Sequence, residues 1–114
     1  MENLFSYGTL QLENVQLNLF NRTLEGTPDA LNGYKVLHIR ITDPEVIAAS
    51  GLTHHLMITH TGKESDIIEG VVLRLTHEEL VQADEYETSD YKRVSVILRS
   101  GTKSWVYVDA SDKV

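Results

Sequence analysis

The chain has 114 residues, enough for one domain with an apolar core of its own. It contains no cysteine, which excludes thiolate catalysis, Cys-ligated zinc and iron–sulfur clusters, and fits a reducing compartment. The formal net charge is -7, from 10 Lys and Arg against 17 Asp and Glu, so the surface repels nucleic-acid phosphate and anionic lipid.

No apolar run approaches the roughly 20 residues that span a bilayer. The N-terminus lacks the basic and apolar regions of a secretion signal. Asn21-Arg22-Thr23 matches the glycosylation sequon, but without such a signal it reads as coincidence. No repeat, low-complexity tract or linker divides the chain. The expectation is a single cytoplasmic domain over residues 1–114, with no membrane and no nucleic-acid partner.

Asn3 to Ser6 reads as a short apolar strand that runs into Tyr7-Gly8-Thr9-Leu10. Glycine there marks a turn or a close approach of the backbone. Leu12 to Leu24 places apolar residues at the spacing of an amphipathic helix of two or three turns. Tyr34 to Ile41 alternates as a strand, with Lys35, Leu37, Ile39 and Ile41 forming its mainly aliphatic face, and Asp43-Pro44 breaks it.

His55 to Thr61 is a further strand, and Gly62 to Asp66 a turn. Ile67 to Leu75 is a stronger strand. Thr76 then caps a helix, with Glu79 completing a capping box, and the helix runs to Asp84 or Glu85. Tyr91 to Arg99 alternates between Tyr91, Arg93, Ser95, Ile97 and Arg99 on one face and Lys92, Val94, Val96 and Leu98 on the other. Ser100-Gly101-Thr102 turns the chain into Lys103 to Val108, a pairing strand. This order lacks regular strand–helix alternation. It predicts an α+β fold: a small, mostly antiparallel β-barrel or curled sheet with flanking short helices.

Three segments carry candidate chemistry. Tyr7-Gly8-Thr9-Leu10 is either an ordinary turn or a nest of backbone N–H groups that binds a carboxylate or an oxyanion. Asp84-Glu85-Tyr86-Glu87 is either a solvated acidic helix end or a cluster whose crowding and burial raise one carboxyl's pKa toward neutrality, as proton transfer requires. Tyr91 and Arg93 follow: Arg93 is a natural clamp for a substrate carboxylate, or a structural strand residue. Trp105 and Tyr107 share a strand face and either wall a pocket or pack the core.

The histidines, His38, His54, His55, His60 and His77, show no metal-ligand spacing, so no metal site is expected. Walker, dinucleotide-binding and nucleophile-elbow motifs are missing from the sequence.

Taken in order, these segments carry a resemblance. Phe5-Ser6-Tyr7-Gly8-Thr9-Leu10-Gln11, Leu31-Asn32-Gly33-Tyr34 and Ile68-Glu69-Gly70-Val71-Val72 resemble successive landmarks of the gamma-glutamylcyclotransferase-like (AIG-two-like) proteins. Ala83-Asp84-Glu85-Tyr86-Glu87 with Tyr91-Lys92-Arg93-Val94, then Trp105-Val106-Tyr107-Val108, are similar to the catalytic stretch and the closing strand of that family. Thr88 stands where the family commonly has glycine, and Ala83 where it commonly has leucine.

The resemblance implies a small β-barrel with flanking helices. It implies that Tyr7, Gly8, Thr9 and Leu10 line the site and supply backbone donors. It implies that Glu87 is the catalytic acid and base and that Tyr91 positions the substrate. Arg93 matches the family pattern without an assigned substrate contact. The implied reaction takes a gamma-glutamyl amine or gamma-glutamyl amino acid, closes it to 5-oxoproline and releases a free amine, with no cofactor. Two readings of other kinds stand beside it. One is a small-molecule-binding protein on the same fold that does not turn over. The other is an interaction module whose acidic face, Asp84 to Asp90, docks a basic partner.

Overall fold

The structure, a computed structural model, describes residues 1–40, 44, 54–87 and 91–110. These residues form seven strands: β1 (Glu2–Ser6), β2 (Gly26–Asn32), β3 (Tyr34–Arg40), β4 (His54–His60), β5 (Ile67–Leu75), β6 (Tyr91–Ile97) and β7 (Lys103–Asp109). Among the described residues two α-helices accompany them, α1 (Glu13–Phe20) and α2 (His77–Tyr86), with a 3-10 turn at Thr9–Gln11 ahead of α1. The fold is mixed α+β, as expected. Of the break read at Asp43-Pro44, Asp43 lies outside the described residues and Pro44 is exposed.

Five strands form one sheet in the order β2-β5-β1-β7-β6. Its ladders are antiparallel except for β1 beside β7, which meet in parallel at Leu4 and Trp105. β3 and β4 form a separate antiparallel ribbon, with Tyr34 opposite His60 and Lys35 opposite Thr59. The barrel implied by the resemblance is therefore corrected. Among the described residues the sheet does not close, because β3 and β4 pair with each other and not with the edge strands β2 and β6.

Gly33 directs the chain off the sheet edge and into the ribbon. Its φ of +85° is a conformation that suits glycine. Its N–H donates to the Asp66 carbonyl at 2.8 Å, and its own carbonyl accepts from the Thr61 N–H at 2.7 Å.

Both faces of the sheet are buried, which follows from strand alternation. In β1, Leu4 and Phe5 point to opposite sides, and both are almost fully buried. Phe5 joins Val72, Val106 and Val108 beneath the ribbon residues Tyr34 and Ile58. Leu4 joins Leu73, Leu75 and Tyr107 beneath Phe20 of α1 and Leu80 and Ala83 of α2. Each large apolar side chain buried in this way contributes roughly 1.5–3 kcal/mol relative to exposure.

α2 begins as the sequence predicts. The Thr76 hydroxyl accepts from the Glu79 N–H at 3.2 Å, and the Glu79 carboxylate accepts from the Thr76 N–H at 2.8 Å. Arg22, just beyond the left-handed Asn21 that ends α1, donates two hydrogen bonds to the same carboxylate at 2.7 and 2.8 Å. The end of α1 is thereby tied to the start of α2.

Candidate active site

β1 delivers the chain to the segment Tyr7–Leu10. The 3-10 turn closes with the Gln11 N–H on the Gly8 carbonyl at 3.2 Å and the Leu12 N–H on the Thr9 carbonyl at 3.0 Å. The N–H groups of Thr9 and Leu10 precede the first donor of that turn, so turn formation leaves them for another acceptor. Gly8 has a φ of -133°, so its role is not left-handed backbone. A Cβ there would meet nothing within 4 Å, and glycine leaves this wall of the site bare.

The turn is anchored from both sides. Gln16 of α1 is buried, donates to the Leu10 carbonyl at 2.7 Å and accepts from the Leu24 N–H at 2.8 Å. The Thr9 hydroxyl and the Tyr86 hydroxyl lie 2.9 Å apart, linking the turn to the last residue of α2. The Tyr7 hydroxyl donates to the Tyr107 carbonyl at 2.6 Å.

Glu87 follows α2 directly as its C-cap. Its N–H still donates to the Ala83 carbonyl at 3.0 Å, but its φ and ψ of -72° and 140° are extended. The chain therefore leaves the helix at this residue, and the Glu87 side chain enters a cavity of about 370 Å³. The walls are Phe5, Ser6, Tyr7, Gly8, Thr9 and Leu10 on one side, with Leu12, Leu56, Tyr91 and Tyr107 completing them. That volume falls at the lower end of small-molecule sites.

Burial, followed by the negative charge of Asp84, raises the Glu87 carboxyl from its ordinary 4.5 to about 7. Burial likewise pushes the Tyr7 and Tyr107 phenols above their ordinary range, so both remain neutral donors. The Tyr91 hydroxyl donates to the Leu56 carbonyl at 2.5 Å, which binds β6 to the ribbon across the cavity wall. A carboxyl that ionises near neutrality, in a cavity also lined by the backbone turn at Tyr7–Leu10, has the parts for proton transfer beside an oxyanion.

All six candidates from the sequence, Tyr7, Gly8, Thr9, Leu10, Glu87 and Tyr91, line this one cavity. Arg93 does not. Its guanidinium donates to both oxygens of Asp84 at 2.8 and 3.0 Å and lies 4.4 Å from the centre of the Trp105 ring. Of the two readings of Arg93, the geometry favours the structural one: its fork is occupied by a protein carboxylate. Of the aromatic pair on β7, Tyr107 walls the cavity and Trp105 supports Arg93.

Ser6, Leu12 and Leu56 are cavity residues that sequence reasoning did not single out. Leu56 arrives from the ribbon, and no local pattern around it signals a site. Among the described residues, no group of three or more His, Asp or Glu gathers around a metal-sized point, and no helix is long and apolar enough to cross a membrane. Thr88, Ser89 and Asp90, the end of the face read from Asp84 to Asp90, lie outside the described residues.

The layered sheet with a carboxyl and a backbone turn at its end defines a recognised class of α+β domain. The chain belongs to the family described as Gamma-glutamyl cyclotransferase, AIG2-like, whose model matches residues 4–113. Comparison of the sequence with curated proteins gives no match.

Solved structures share the fold. Two Arabidopsis thaliana proteins determined in solution superpose with TM-scores of 0.71 and 0.70 at 24% and 23% identity. Each alignment covers 99% of this chain, and respectively 64% and 71% of the other. A structure named Gamma-glutamyl cyclotransferase superposes with a TM-score of 0.67 at 19% identity, covering 95% of this chain and 66% of that one. The chain thus spans about two thirds of the length of these structures.

Proposed function

We propose that the protein is a cyclotransferase acting on a gamma-glutamyl amine or gamma-glutamyl amino acid, with Glu87 as its acid and base. The observation that carries this reading is the Glu87 carboxyl, which ionises near 7 inside a cavity whose facing wall is the Tyr7–Leu10 turn. Family membership supports the reaction class.

In this reading the substrate α-amine arrives as an ammonium ion, which has no lone pair to attack with. Ionised Glu87 removes one proton. The freed amine attacks the γ-carbonyl of the same molecule, forming a C–N bond and closing a five-membered ring. The carbonyl oxygen becomes an oxyanion, which backbone N–H groups of Thr9 and Leu10 stabilise. Protonated Glu87 gives its proton to the leaving nitrogen. As the old C–N bond breaks, the re-formed Glu87 carboxylate takes the second proton from the ring nitrogen and passes it to the released amine, so 5-oxoproline departs as a neutral lactam and the amine as its ammonium ion.

A pKa close to the working pH suits a group that must take the proton and return it. Nucleophile and carbonyl share one molecule, so folding the substrate into a reactive shape supplies much of the rate. Gly8 supports this role, since its bare wall lets a carbonyl approach the backbone. Tyr91 and the neutral phenol of Tyr107 border the space where the substrate would lie.

The test is 5-oxoproline release from a panel of gamma-glutamyl amines, gamma-glutamyl amino acids and glutathione. Wild type and Glu87→Gln run side by side, with circular dichroism to show that both are folded. Release by wild type alone, with a loss of at least about 100-fold in the variant, is the expected result. Full activity in Glu87→Gln would overturn the assignment of the base. Tight binding of panel members without release would instead favour a non-catalytic binding protein on this fold.

A further inference from the structure

Asp84 and Arg93 do not line the cavity, yet they are joined to its walls. Asp84 accepts three hydrogen bonds: two from the Arg93 guanidinium, at 2.8 and 3.0 Å, and one from the Tyr107 hydroxyl at 2.7 Å. Tyr107 is itself a cavity wall, and Asp84 lies in the last turn of α2, three residues before Glu87, which caps that turn. Arg93 is steadied from below by the Trp105 ring.

A bidentate pair of this kind fixes orientation as well as distance. We infer that Asp84 is a positioning residue for Glu87: gripped by Arg93 and Tyr107, it pins the last turn of α2 to β6 and β7 and sets a fixed negative charge beside the Glu87 carboxyl, while Arg93 offsets that charge.

The inference rests on Glu87 being the proton-transfer group proposed above. Two physical effects follow from one clamp. Helix ends fray, and a carboxyl on the residue after a helix wanders unless the final turn is held. Asp84 supplies the hold. The fixed charge of Asp84 also disfavours ionisation of Glu87, and the paired guanidinium works against that effect.

Among the described residues, the other titratable groups that line the cavity with Glu87 are phenols: Tyr7 from the turn after β1, Tyr91 from β6 and Tyr107 from β7. Glu85, next to Asp84, is exposed. The clamp is therefore the charged element whose removal changes Glu87, and its two halves act in opposite directions.

The test reads Glu87 directly. Proteins labelled with ¹³C at the glutamate carboxyls are titrated by NMR, the Glu87 signal being identified by its loss in Glu87→Gln. Asp84→Asn keeps the shape and removes the charge, and the Glu87 midpoint is expected to fall by about one pH unit. Arg93→Gln leaves Asp84 without its cation, and the midpoint is expected to rise. Arg93→Lys keeps the cation and is expected to hold the midpoint near that of the wild type, which keeps the test decisive if Arg93→Gln fails to fold.

The acid limb of kcat/KM for 5-oxoproline release should move with each midpoint. A midpoint unmoved by Asp84→Asn in a folded protein, or moved in the same direction by both neutralising variants, overturns the inference. Opposite midpoint shifts in a protein that releases no 5-oxoproline support the clamp and overturn the cyclotransferase reading instead.

Discussion

The Tyr7 hydroxyl donates a 2.6 Å hydrogen bond to the carbonyl of Tyr107, one hundred residues away in the chain. It joins the turn that follows the central strand β1 to β7, the strand whose Tyr107 side chain also binds Asp84. Burial keeps the Tyr7 phenol protonated, so the bond persists into alkaline solution. Tyr7→Phe removes the donor and leaves the acceptor in a part-buried place. Thermal unfolding should show a loss of about 1 kcal/mol, or a Tm lower by roughly 4 °C for a chain of this size. An unchanged Tm would mean that the turn is held by Gln16 and Thr9 alone.

Glu87 makes the protein less stable as pH rises. The folded carboxyl keeps its proton to about 7, whereas an unfolded one releases it near 4.5. Between those values the folded state binds more protons, so stability falls with increasing pH. Below about 4.5 both states are protonated and the penalty vanishes. Glu87→Gln mimics the protonated form at every pH. Its unfolding free energy should match wild type near pH 4 and exceed it above pH 7, by at most about 3 kcal/mol. Denaturant melts at the two pH values check this. Parallel curves would show that Glu87 is ordinary in its ionisation.

Gly70 lies where β5 passes the end of β1. A Cβ on it would collide with the carbonyl oxygen of Ser6 and stand 2.8 Å from Cζ of the Phe5 ring. Neither neighbour has room to yield: one is strand backbone and the other a buried core ring. Gly70→Ala should destabilise the fold by roughly 1–3 kcal/mol through overpacking. It should also displace the strand end that leads to Tyr7, so turnover should fall more steeply than the folded fraction. Retained activity with a retained Tm would show that the strands separate at little cost.

The sequence was most readable where a local rule had no competitor. The box at Thr76 and Glu79, the strand Ile67–Leu75 and the hairpin through Gly101 all appear where residue type and spacing place them. β2 was not readable. Gly26, Pro28 and Asp29 resemble a turn, but β2 is a sheet edge, where proline is tolerated. The faces of β3 were also misleading: Tyr34 and Val36 share one face by alternation, yet Tyr34 is buried and Val36 exposed. Tyr7 to Leu10 and Glu87 were legible as separate clusters. Their meeting depends on β1 and α2 packing together, and Leu56 joins only through the ribbon, so no spacing encodes it. Arg93 stayed open between two readings because its type suits a ligand carboxylate as well as it suits Asp84.

The pair of Arg22 and Glu79 supplies an acid-sensitive counterpart to Glu87. Hydrogen bonds from Arg22 hold the Glu79 carboxyl well below its ordinary 4.5, at about 2. A depressed carboxyl contributes stability above its unfolded pKa and loses that contribution as pH falls toward its folded value. Here the window runs from about 4.5 down to about 2. The pair is partly exposed, with 43% of the Arg22 side chain in solvent, so screening by solvent reduces its worth. Glu79→Gln retains an acceptor for the Thr76 N–H, as a capping box permits, and removes the charge. Wild type should be the more stable at pH 7, with the gap closing by pH 2 and shrinking in 1 M salt. A gap that persists unchanged at pH 2 would show that the variant damages the cap, and that the ion pair contributes nothing measurable.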